Sequence, residues 1–171
     1  VGDKLFFRAS TDLGQEIWVS DGTEAGTQLV KDIYTGAGGP SSQPSSLVAS
    51  GGLLFFVATT YETGQELWVS DGTEAGTHLA KDIAPGTSGS SIADMRAVSG
   101  GVVFEADNGY SGAELWFSDG TEAGTYMIDD LRTTQNGSTP QSFFAADVTL
   151  NSPVLAQDDN VSVSEDGPTL N

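Results

Sequence analysis

The side chains of this 171-residue chain open three chemistries: a serine nucleophile, a pair of carboxylates, and oxygen ligands for a hard cation. The serines in question are Ser20, Ser70 and Ser118, each opening Ser-Asp-Gly-Thr. A nucleophilic serine needs a base within hydrogen-bond reach. The single histidine, His78, stands in one copy, where the others carry Gln28 and Tyr126. The pattern therefore predicts turns in which Asp21, Asp71 and Asp119 accept hydrogen bonds from turn amides. Carboxylates pair at Asp21 with Glu24 and at Glu62 with Glu66, as glycoside chemistry would use them. Equivalent pairs on equivalent units do not make the one distinct constellation that an enzyme needs, so the reading is non-catalytic and without a cofactor. Calcium is the cation that the remaining acids would take. Thr11-Asp12-Leu13-Gly14-Gln15-Glu16 and Thr60-Tyr61-Glu62-Thr63-Gly64-Gln65-Glu66 offer hard oxygen ligands, although neither follows EF-hand spacing. In the tail, Asp158, Asp159, Glu165 and Asp166 form a second calcium candidate, set against an acidic solvated linker.

These residues ride on one copied stretch. EIWVSDGTEAGT begins at Glu16, ELWVSDGTEAGT at Glu66 and ELWFSDGTEAGT at Glu114, so Trp18, Trp68 and Trp116 are spaced by 68−18 = 50 and 116−68 = 48 residues. A period of that length signals solenoids, propellers or arrays. The apolar run around each tryptophan reads as a strand and the Asp-Gly after it as a turn. Gly22, Gly72 and Gly120, with the second glycine of each loop, are expected to supply positive φ. Glu16, Glu66 and Glu114 are expected to hold a hydrogen bond at a strand edge, and the tryptophans to serve the core in preference to a sugar platform.

Strands are also expected at Leu5–Ala9, Leu54–Ala58 and Val102–Ala106, each joined by a short polar loop to its Trp strand. Gly/Ser/Pro-rich stretches at 34–45, 84–91 and 132–141 read as solvated connectors. Beyond them, Ser46–Ala49, Met95–Val98 and Phe143–Ala146 read as further strands. The resulting fold class is all-β: a β-propeller-like array of four-stranded antiparallel blades in three repeats, with an extended C-terminal tail. The repeats fall at about 1–43, 44–91 and 92–141, with a closing strand at 142–150. Residues 151–171 read as an acidic linker or the edge strand of a following module. Propellers typically use about four to eight blades. Three units beginning at a second strand and ending on a lone first strand therefore suggest further repeats of a longer chain or head-to-tail strand exchange between copies.

Composition narrows the partners. Acidic residues number 24 against 6 basic ones, a formal charge of −18 that repels nucleic acid and anionic membranes. There is no cysteine for disulfides, and no apolar run approaches the roughly 20 residues that span a bilayer. Starting at Val1-Gly2-Asp3, the chain reads as a piece of something longer. Asn136-Gly-Ser138 and Asn160-Val-Ser162 match the N-glycosylation pattern.

The triplicated Glu-Leu/Ile-Trp-x-Ser-Asp-Gly-Thr, followed by Gly-Thr and Asp-Ile/Leu, resembles the ELWxxDGT repeat of large bacterial surface and secreted proteins. Eleven of twelve motif letters recur between the first two copies, while the third carries Asp129-Asp130-Leu131 where the others have Lys-Asp-Ile. The tail, with Asn-x-Pro-Val, Ala-x-Asp-Asp and Ser-Glu-Asp-Gly, is similar to the opening of a cadherin-like or immunoglobulin-type adhesin module. These resemblances imply a multidomain extracellular protein, with calcium often held at module junctions. A structural or adhesive module that associates with its own copies is the first functional expectation. A module binding carbohydrate or another ligand at loop ends is the alternative, and it requires an open pocket with an exposed aromatic such as Tyr61 or Tyr110.

Overall fold

The computed structural model describes residues 1–35, 41–132 and 137–141. The expected closing strand at 142–150 lies outside the described residues, as does the tail with Asp158, Asp159, Glu165 and Asp166 and with the glycosylation pattern at Asn160. Asn136 lies outside them too. The described residues contain no helix and build three antiparallel sheets. The first runs β1 (Leu5–Thr11), β2 (Gly14–Ser20), β3 (Gln28–Lys31). The second runs β4 (Ser45–Ser50), β5 (Leu53–Thr60), β6 (Gly64–Ser70), β7 (His78–Lys81). The third runs β8 (Ala93–Val98), β9 (Gly101–Asp107), β10 (Ala113–Ser118), β11 (Thr125–Asp129). Each is a meander, with strands neighbouring in sequence paired in space.

Register repeats with the sequence. Trp18 pairs with Phe7 and Leu29, Trp68 with Phe56 and Leu79, and Trp116 with Phe104 and Met127. A bulge follows the same position each time, so that Val30, Ala80 and Ile128 are the extra residues on β3, β7 and β11. The second sheet is buried on both faces, which is why Leu53-Leu54-Phe55-Phe56-Val57 is apolar without alternation. Leu54, Phe56, Ala58 and Trp68 share a core with Ile17, Val19, Val30 and Ile33 of the first sheet. Phe55, Val57, Leu67 and Val69 point the other way and pack with Val102, Phe104, Ala106 and Trp116 of the third. Alternate residues of a strand face opposite sides. Each buried Phe or Leu on either face stabilises the fold by about 1.5–3 kcal/mol.

The packing has a direction. Trp68 faces the preceding sheet, and so does Trp116. Trp18 has no earlier sheet to meet among the described residues and is only half-buried, while Leu5 on β1 is 65% exposed. Lysines stitch the sheets in the same direction. Lys31 Nζ donates to Thr77 O (2.8 Å), and Lys81 Nζ to Thr125 O (2.8 Å) and Glu122 O (3.5 Å). The third sheet carries Asp129 at that place, opposite Leu115 as Lys81 is opposite Leu67. The first strands of the second and third sheets, β4 and β8, lie side by side, with Ser50 Oγ donating to Val98 O (3.0 Å). Among the described residues the first sheet has no such strand, and the outer edge of β1 carries no partner.

Candidate functional site

A meander sorts its loops onto two ends of the sheet. The copied Asp-Gly-Thr loops share one end with the tight turns at 51–52 and 99–100. The loops before the Trp strands share the other end with the connections from sheet to sheet.

At the first end the turn aspartates, serines and threonines are consumed locally. Asp71 Oδ1 accepts from Thr73 N (2.8 Å) and Thr73 Oγ1 (2.7 Å), and Thr73 Oγ1 in turn accepts from Gly76 N (3.0 Å). Asp21 and Asp119 repeat the arrangement with Thr23 and Thr121. Those threonine donors hold the Asp21 and Asp71 carboxyls below their ordinary range. The turn serines are equally occupied: Ser70 Oγ donates to Thr77 Oγ1 (2.6 Å), whose own proton goes to Thr73 O (2.7 Å), and accepts from Gly72 N (3.0 Å), while His78 stands exposed on β7.

The first glycine of each loop has positive φ, +91° at Gly22, +88° at Gly72 and +94° at Gly120. The second does not, contrary to expectation. Gly26, Gly76 and Gly124 are required for space instead, because a Cβ there would lie 2.0–2.2 Å from the aspartate carboxylate. Gly72 and Gly120 also approach the preceding sheet, their virtual Cβ atoms falling 3.0 Å from Phe6 and 3.2 Å from Leu53, whereas Gly22 meets nothing within 4 Å.

At the second end the glutamates do more than cap a strand edge. Glu16, Glu66 and Glu114 have no exposed surface, and each clasps the chain leaving its sheet. Glu66 accepts from Ser90 Oγ (2.7 Å), Ile83 N (3.2 Å) and Ala84 N (3.2 Å). Glu16 accepts from Ser42 N (2.8 Å), Ser42 Oγ (2.5 Å) and Ile33 N (3.3 Å), and Glu114 accepts from Ser138 N (2.7 Å) and from the Ser138 hydroxyl. Burial pushes the Glu66 carboxyl up to about 7 against the pull of those donors, with Asp82 adding to the rise. Glu16 is raised for the same reason.

Ser42, Ser90 and Ser138 escape a reading of composition, since they sit in stretches expected to be solvated, yet Ser42 and Ser90 are fully buried. The signal was their offset from the glutamates, 42−16 = 26, 90−66 = 24 and 138−114 = 24. The residue after each serine, Gln43, Ser91 or Thr139, turns the chain with a positive φ of 45–51°. In every unit a buried pair of atoms, the tryptophan Nε1 and the Oδ1 of Asp32, Asp82 or Asp130, has no hydrogen-bond partner among the described residues.

Two of the oxygen-rich stretches read for calcium thus turn their last ligand, Glu16 or Glu66, inward onto a clasp. Among the described residues no three His, Asp or Glu side chains converge as a metal site would require.

The loops before the Trp strands are not copied. They span 12–13, 61–63 and 108–112, lengthening along the chain. The longest is shaped by its own side chains: Asn108 Oδ1 accepts from Tyr110 N (2.9 Å) and Ser111 N (2.8 Å), and Asp107 Oδ1 from Gly109 N (2.7 Å). Between this loop and the 84–91 connection lies a cavity of about 410 Å³ with Tyr110, 74% exposed, at its rim. Comparisons with protein-family models, with curated proteins and with solved structures returned no match.

Proposed function

We propose that the chain is a non-catalytic structural module of a bacterial extracellular or cell-surface protein. It is a propeller-like row of sheets that associates head-to-tail through an exchanged strand. One observation carries the reading: among the described residues the first sheet lacks the strand that β4 and β8 provide in the others. The chain supplies a segment at the corresponding offset. β4 starts at 45, three residues after Ser42, and β8 at 93, three after Ser90. The same step from Ser138 reaches residue 141, so the closing strand expected from the sequence at 142–150 is the segment that one copy would lend to the β1 edge of the next. The half-buried Trp18 and the uncovered Gly22 loop support this reading, because both occupy places that a preceding sheet fills in the second and third units. The resemblance of the copied motif to ELWxxDGT repeats supports the bacterial surface setting.

Light scattering over a concentration series tests the proposal. The full chain is expected to grow in mass with concentration, and a chain ending at Thr139 to remain monomeric. A full chain that stays monomeric throughout would overturn it.

A further inference from the structure

We propose that the cavity beside Tyr110 is a binding site for a neutral saccharide. Its volume of about 410 Å³ falls in the range of small-ligand pockets, roughly 300–1,000 Å³. Its lining brings the Tyr110 ring, at the rim, together with the hydroxyl, amide and carboxylate side chains of Ser88, Ser91, Asn108 and Asp107. The negative face of a tyrosine ring suits the C–H surface of a pyranose. Around Tyr110, the loop amides occupy Asn108 Oδ1 and Asp107 Oδ1, which leaves the Asn108 Nδ2 donors and the second Asp107 oxygen for sugar hydroxyls. The Ser88 and Ser91 hydroxyls, across the cavity, are uncommitted among the described residues.

No Lys, Arg or His lines the cavity, and the chain carries a formal charge of −18, so phosphate and carboxylate ligands are repelled. The site is also held ready. Ser90 is fixed by Glu66 and by Gln65 O (2.9 Å), and Ser90 O accepts from Asp107 N (2.8 Å), which ties the two walls together. Walls fixed before binding lower the ordering cost of binding. The cavity lies wholly within one chain, so this inference stands apart from the head-to-tail reading.

The test is a titration of the 15N-labelled full chain with maltose, cellobiose, lactose and N,N′-diacetylchitobiose, with galacturonic acid as the charged comparison. At least one neutral disaccharide is expected to shift the amides of residues 88–91 and 108–111 saturably. Tyr110→Ala should weaken that binding about tenfold with an unchanged melting temperature, and Tyr110→Phe should retain it. Three results would each overturn the proposal: silence of those amides to all four disaccharides, undiminished shifts in Tyr110→Ala, or equal affinity for galacturonic acid.

Discussion

A carboxyl group with no exposed surface, such as that of Glu66, persists in a fold only when donors surround it, and Ser90, Ala84 and Ile83 supply them. Its raised pKa makes stability depend on pH with a definite sign. Between the ordinary value of 4.5 and the folded value of about 7, the native chain holds a proton that the unfolded chain has released. Stability from this group is therefore full below pH 4.5, falls through the window and levels off above pH 7. The fall amounts to roughly 3 kcal/mol at most. Glu16 adds to the same slope, while Asp21 and Asp71, with lowered values, act oppositely below their ordinary 3.8. Urea unfolding from pH 5 to 8 should show a declining midpoint that flattens in Glu66→Gln; an identical slope in the variant would refute the role given to Glu66. Ser90→Ala removes one donor from the buried carboxylate and should cost about 1–3 kcal/mol at pH 8, and less at pH 5, where the group is protonated.

At the scale of the element, the Asp-Gly-Thr loop separates two reasons for a glycine. Gly76→Ala places a methyl group where the Asp71 carboxylate sits, 2.2 Å from Oδ1, so it must unseat the bonds to Thr73. Gly22→Ala and Gly72→Ala carry the same backbone strain, of order 1 kcal/mol. Only Gly72 also presses on Phe6. Thermal melts should rank Gly22→Ala as the mildest of the three, and equal losses at Gly22 and Gly72 would contradict the packing of that loop on the preceding sheet.

The strands themselves were legible from Leu-Phe-Phe, the Trp run and the Asp-Gly turns, because strand period and turn chemistry are local. The clasps were not. Nothing local to Ser90 distinguishes it from the exposed serines beside it, since its burial is decided by a glutamate 24 residues earlier. The wall that Ser90 helps to fix, and hence the cavity at Tyr110, was likewise invisible, although Tyr61 and Tyr110 were both named as aromatics that an open pocket could use.

At the scale of the whole molecule, the lysine stitch is present at both internal junctions and replaced by Asp129 where a further sheet would join. In a head-to-tail pair, Asp129 of one copy would face the places of Thr27 O and Glu24 O in the next, which correspond to the acceptors that Lys81 finds at Thr125 and Glu122. Two carbonyls and a carboxylate offer no donor, so in such a pair the junction between copies would lack the lysine contact that the internal junctions have. Asp129→Lys should supply the missing donor and lower the concentration needed for association by roughly tenfold, read by sedimentation. No change would contradict the head-to-tail geometry. Among the described residues both cores join neighbours, the first sheet with the second and the second with the third. Splicing in one more unit of about fifty residues would consequently disturb a single seam and leave every other contact as it was. Loops before the Trp strands already vary from two to five residues without moving the lysine contact, so length can also change at that end of a sheet while the seam is kept.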